Sequence, residues 1–167
     1  MASYFSSITN EQAQLIRNSP LFFVATVAPT SSDISEGVGP INISPKGGVP
    51  LHIINPNRVA FLNYAGSGNE TERHSAGGSP MTVMVCSFDS ADAAIVRLYG
   101  KAKVTPISES ELAEQLLATG ATEMKLTPRQ VVEVEIEKTS TSCGYGVPVM
   151  EFVRDRRTVD HGRRYKT

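Results

Sequence analysis

The sequence is short of net charge and of cysteine, and it has no uninterrupted apolar run near the roughly 20 residues of a membrane-spanning helix. Sixteen Lys and Arg against 17 Asp and Glu leave a formal charge of −1, so no global field draws the chain onto nucleic acid or an anionic membrane. Two cysteines, Cys86 and Cys143, are too few and too far apart for a zinc pattern or a disulfide framework, and free thiols are expected. The start, MASYFSSITNEQAQLIRNSP, has no basic segment followed by an apolar block. These absences point to a soluble, cytoplasmic protein with neither a nucleic-acid nor a membrane partner. There is also no repeat or low-complexity tract. With 40% hydrophobic and 20% charged residues, 167 residues suit one domain, 1–167, with a sizeable core.

Charge is present locally. Arg154, Arg156, Arg157, Arg163, Arg164 and Lys166 crowd residues 154–167 with only Asp155 and Asp160 between them. Such runs are commonly solvated ends. A weaker reading lays this basic tail across a partner subunit, where it would attract an anionic substrate.

The local patterns are mostly those of strands. A short helix is expected from Thr9 to about Asn18, capped by Thr9 and stopped by Ser19-Pro20. LFFVATVAP reads as a buried strand, and VGPINISPKGG as an edge strand or strand end because of its prolines. VPLHII and RVAFLNY flank an Asn-Pro-Asn turn, and MTVMVCSF pairs with AIVRLYGKAKV across DSADA. SESELAEQLLAT predicts a helix with Ser108 as cap, Glu111 as its capping-box partner, Leu112, Leu116 and Leu117 on one face, and Gly120 past its end. VVEVEIEK then puts Val132, Val134 and Ile136 on one face of a half-exposed strand and three glutamates on the other. Six or seven strands with two or three helices give the expected fold class: mainly β, an antiparallel barrel with capping helices.

Three segments have residues suited to chemistry. In NISPKGG, Lys46 and Ser44 have the charge and the hydroxyl to bind a phosphate, although a solvated turn lysine is the blander reading. In GSGNETERH, Asn69 can cap a short helix whose first N–H groups face the glycine turn, and Thr71 adds a hydroxyl. This idea requires Glu70 to point outward. His74 shares a helical face with Thr71, but a lone histidine more often packs than ligates, and no metal site is expected. GSG does not continue to a third glycine as dinucleotide-binding turns do. STSCGYGVPVMEF looks too irregular for a regular strand, and Cys143 has no sequence-near base to make it a nucleophile.

The ordered set FFVATV, NISPKG, NRVAFLNYAGSGNETERH, MTVMVCSF, IVRLYGKAKV and STSCGYGVPVME, covering most of residues 20–152, resembles the pyridoxamine 5'-phosphate oxidase-like flavoproteins. The resemblance implies an FMN-binding split barrel that forms a homodimer, with FMN held in two clefts at the subunit interface. In that picture Ser44 and Lys46 match the phosphate-side turn, and Ser67, Gly68, Asn69 and Thr71 match the loop that closes on the cofactor. The oxidases proper carry an arginine-lysine pair where Gly68 and Asn69 stand. Relatives in the nearer branch often have an arginine at Pro80 and a Gly-Pro-Pro turn at SADAA. If that arginine touches flavin, weaker binding is the expectation.

The function this implies is an FMN-dependent oxidoreductase that acts on a small molecule by hydride transfer through the flavin. The rival is a non-enzymatic flavin-binding or scaffold protein with the same fold. Haem or a deazaflavin is a third option; haem would want an axial histidine, and His52, His74 and His161 are the three available, none in a telling context.

Overall fold

The computed structural model describes residues 1–29, 40–66, 68–119 and 127–156. Among them are eight strands: β1 (Ser3–Phe5), β2 (Leu21–Val27), β3 (Ile41–Gly47), β4 (His52–Asn55), β5 (Arg58–Tyr64), β6 (Pro80–Cys86), β7 (Ala94–Pro106) and β8 (Pro128–Cys143). Three α-helices accompany them: α1 (Asn10–Asn18), α2 (Glu70–Ala76) and α3 (Ala113–Thr119). The strands form one antiparallel sheet in the order β3-β2-β6-β7-β8-β5-β4, with β1 added to β8. The sheet curls until Phe22 of β2 meets Phe61 of β5 edge to face, with ring centroids 5.2 Å apart. Residues 48–51 join its two outer strands and bury Val49 and Leu51 in the core, so the barrel is nearly closed.

Side-chain alternation explains how one strand serves two cores. Val59 and Phe61 of β5 point into the barrel with Val24, Val83, Leu98 and Val134. Ala60 and Leu62, on the other face, pack under Ala113 and Leu116 of α3 with Val131. β5 therefore reads as a continuous apolar run because a helix covers its outer side. β8 keeps the expected alternation, with Val132, Val134 and Ile136 buried and Glu135 and Glu137 exposed.

The long β7–β8 pair shifts register between Tyr99 and Gly100. A Cβ on Gly100 would lie 1.8 Å from the carbonyl oxygen of Glu135. The glycine of RLYG is thus a steric necessity of this bulge.

The N-terminal helix forms as expected. Thr9 Oγ1 accepts from the backbone N–H of Gln12, and Gln12 Oε1 accepts from that of Thr9, completing a capping box. Gln12 is also buried and donates to Thr141, which ties α1 to β8.

Three local expectations need correction. The helix predicted from Ser108 begins only at Ala113, because Ile107–Glu109 form a 3-10 turn and Ser110, not Ser108, accepts the N–H of Leu112. Leu116 is then fully buried while Leu117 is exposed, so they do not share the buried face; Gly120 lies outside the described residues. Ser140 to Cys143, the start of a segment read as irregular, continue β8: Ser140 is buried, and Thr139–Thr141 pair with β1, a strand that had no signal in the sequence.

Candidate functional site

The period-two alternation of β3 puts Asn42, Ser44 and Lys46 on one face and exposes Ile41, Ile43 and Pro45 on the other. The polar face turns toward the end of β5 and the loop before α2. There Ser44, Lys46, Gly68, Asn69 and Thr71 line one cleft of about 370 Å³ with Asn63, Tyr64 and Glu70. Five of the six residues singled out in the sequence are thus brought together. The sixth, Ser67, lies outside the described residues.

A chain of hydrogen bonds runs around the cleft. Lys46 Nζ donates to Asn63 Oδ1 (3.2 Å), and Asn63 Nδ2 donates to Gln130 Oε1 (3.2 Å). Gln130 Nε2 donates to Glu72 Oε2, the same oxygen that accepts from Asn69 Nδ2 (2.6 Å). Asn69 Oδ1 in turn accepts from Arg129 Nη2 (2.7 Å). Asn63 and Gln130 are buried and face each other across the β5–β8 ladder, so the middle of the chain is fixed by strand register. Buried amides in such positions must be paired, and here they pair with each other.

This arrangement changes the expected role of Asn69. It occupies the N-cap position of α2 but makes no capping hydrogen bond; its amide is spent on Glu72 and Arg129. The helix itself has seven residues and carries Glu70 and Glu72 in its first turn. Glu70 does not point outward: its carboxylate folds back over Gly68, where an added Cβ would fall 2.3 Å from Oε2, and it lines the cleft. An anion arriving in the cleft must displace this carboxylate, which sits at the end of a flexible side chain.

The electrostatics follow from this geometry. Burial lowers the proton affinity of Lys46, the nearby Arg129 guanidinium lowers it further, and Glu70 opposes both. Glu72 is held below the usual carboxylate range by the hydrogen bonds from Gln130 and Asn69, with a smaller contribution from Arg129. Arg129 Nε is buried without a hydrogen-bond partner among the described residues. Lys46 lines the cleft with the Glu70 carboxylate, and Arg129, behind Asn69 and outside the lining, brings a second cation near it.

Sequence reasoning missed Asn63, Glu72, Arg129 and Gln130. A polar residue inside the apolar run of RVAFLNY was the available signal for Asn63. None existed for the pairing of Gln130 with it.

The remaining candidates lie elsewhere. His74 is fully buried, its Nδ1 2.9 Å from Thr26 Oγ1, a packing histidine as the blander reading held. His52 Nε2 lies 3.1 Å from Thr119 Oγ1, and His161 is outside the described residues. Cys86 is buried and Cys143 exposed, and both are free thiols. Pro80 is exposed at the start of β6 and does not line the cleft. A second, larger cavity of about 1130 Å³ lies between α1, the start of β2 and the C-terminal segment, with Leu15, Leu21, Phe88, Met150 and Phe152 among its walls. Arg154 and Arg156 border it too, and Pro45 lines both cavities, so β3 separates them.

A nearly closed, mainly antiparallel barrel of eight strands with capping helices is the split-barrel architecture. Residues 8–143 match the family described as pyridoxamine 5'-phosphate oxidase, and the chain belongs to that family. It is 30% identical over 161 residues to the pyridoxamine 5'-phosphate oxidase family protein ustO of Aspergillus flavus, covering 95% of this chain but 61% of that relative's length. Among solved structures it resembles a protein of Lactobacillus delbrueckii described as a candidate pyridoxamine 5'-phosphate oxidase (TM-score 0.57, 24% identity, 81% of this chain and 94% of that one). It also resembles an FMN-binding protein of Syntrophomonas wolfei (TM-score 0.54, 13% identity, 80% and 82%). At these identities the structural likenesses define the fold. Among the described residues no helix is long and apolar enough to cross a membrane.

Proposed function

We propose that the protein is an FMN-dependent oxidoreductase whose polar cleft holds the FMN phosphate. The observation that carries this reading is the convergence of Lys46, Ser44, Gly68, Asn69 and Thr71 on one cleft, with Lys46 fixed by Asn63 and a second cation, Arg129, behind Asn69. FMN, when bound, would supply hydride transfer to or from a small molecule. The chain's own residues would bind and orient it. Lys46 offers a desolvated ammonium to the phosphate, Ser44 and Thr71 offer hydroxyls, and Gly68 leaves the backbone open to close approach once the Glu70 carboxylate has swung away.

Two features support a homodimer with its clefts at the interface. Val27 at the end of β2 and Ile41 and Ile43 on the outer strand β3 expose apolar side chains, and Tyr145, Val149, Phe152 and Val153 do the same in the C-terminal segment. Such contiguous apolar surface marks protein interaction sites. Arg154 and Arg156 border the larger cavity together with Glu11, Asp89, Asp92, Glu151 and Asp155, so its lining does not by itself favour an anionic substrate. The expected location is the cytoplasm.

The test is reconstitution with FMN followed by anaerobic reduction with NAD(P)H and a panel of small-molecule donors. Bleaching of the flavin absorbance by one of them supports the oxidoreductase. Flavin that binds but resists every reductant would leave the rival, a flavin-binding scaffold.

A further inference from the structure

The hydrogen-bonded chain around the cleft has a charged group at each end, and only one of them, Lys46, reaches the cleft directly. Arg129, at the start of β8, stands behind Asn69. Its Nη2 holds Asn69 Oδ1 at 2.7 Å and its Nε is buried with no hydrogen-bond partner among the described residues. A structural role alone would be met by a neutral donor to Asn69. The guanidinium is instead kept half-buried, near the first turn of α2 with its two carboxylates, where its charge is felt as far as Lys46.

We infer that Arg129 selects for a dianionic phosphate ligand in the cleft, supplying from β8 the second positive charge of the site and fixing the Asn69 side chain. This inference rests on the reading of the cleft as a phosphate site. Arg129 is a positioning residue for Asn69 and a long-range cation for the phosphate, and the two roles separate by experiment. An electrostatic contribution in a partly desolvated cleft distinguishes ligands by charge. Anchoring of Asn69 affects every ligand that the loop closes on, charged or neutral.

Dissociation constants of FMN and of riboflavin, which lacks the phosphate, are measured by flavin fluorescence quenching for wild type, Arg129→Gln, Arg129→Lys and Lys46→Ala. Wild type is expected to prefer FMN strongly. Arg129→Gln should weaken FMN about fivefold to tenfold, roughly 1 kcal/mol or somewhat more, while changing riboflavin less than about twofold. Arg129→Lys, which keeps the charge but not the fork of donors, should retain most of the preference. Circular dichroism of each variant shows whether the barrel is intact.

Equal weakening of both flavins by Arg129→Gln would reduce Arg129 to a loop anchor and overturn the inference. Unchanged FMN binding in Arg129→Gln, with loss in Lys46→Ala, would overturn it and leave the phosphate site standing. Wild type with no preference for FMN over riboflavin would overturn both.

Discussion

Among the described residues that line the cleft, Glu70 has the one carboxylate, and its charge opposes a bound anion, so removing it should improve binding. Its carboxylate lies against Gly68 and its charge acts on Lys46. Two unit charges 4 Å apart interact by about 1 kcal/mol in bulk water and about 4 kcal/mol at an effective permittivity near 20. Glu70 is half-exposed and its flexible side chain can swing away, which places the effect near the lower figure. Replacing Glu70 by Gln keeps the shape and removes the charge. FMN should then bind about fivefold tighter, the equivalent of about 1 kcal/mol, and the gain should shrink in high salt. Riboflavin should gain little, since it brings no phosphate. The assay is a fluorescence titration of both flavins against wild type and Glu70→Gln at low and high ionic strength. Weaker FMN binding in Glu70→Gln would refute the reasoning, because it would make the carboxylate a ligand contact. Equal tightening of both flavins would refute it too, pointing to steric relief instead of charge.

Other consequences concern pH and stability. Phosphate binding needs Lys46 charged, and its pKa lies below the ordinary 10.5; the interaction is therefore complete below that lowered pKa and lost as pH rises through it. FMN affinity should fall on the alkaline side before the usual lysine range, and Arg129→Gln, which removes one of the causes lowering that pKa, should move the fall to higher pH in an FMN titration. Phe61→Ala removes a fully buried ring from the centre of the barrel and should cost about 3–5 kcal/mol, read as a lower urea midpoint. Gly100→Ala forces a Cβ into the Glu135 carbonyl and should cost about 1–3 kcal/mol by the same measurement, although the site is far from the cleft in sequence.

The fold was largely legible because its strands carry strong local signals. β5 begins and ends where RVAFLNY does, and the Asn-Pro-Asn turn holds, with Asn57 N–H donating to Asn55 Oδ1. What was illegible depended on distant partners. Ser108 has the capping-box partner Glu111 by sequence and Ser110 has none, yet the helix starts later, where Ala113 and Leu116 pack against β5. Ser140 and Thr141 look irregular until β1 arrives to pair with them, from more than 130 positions earlier. The site divides in the same way. Ser44, Lys46, Asn69 and Thr71 sit in two short motifs with suitable chemistry, whereas Arg129 and Gln130 reach the site through a ladder register with β5 that no local pattern encodes. The outward Glu70 that the anion-binding reading required is not what the structure shows, because helix position alone does not say that a first-turn side chain will fold back over a glycine.

The central claim is that the Lys46 cleft holds the phosphate of FMN. The most direct measurement is the visible spectrum of the purified protein, after saturation with FMN and desalting, for wild type and Lys46→Ala, with mass identification of what denaturation releases. The account predicts a yellow wild type that releases close to one FMN per chain, and a folded Lys46→Ala that releases almost none. A colourless wild type that fails to retain added FMN, or a Lys46→Ala protein that retains it fully, would contradict it.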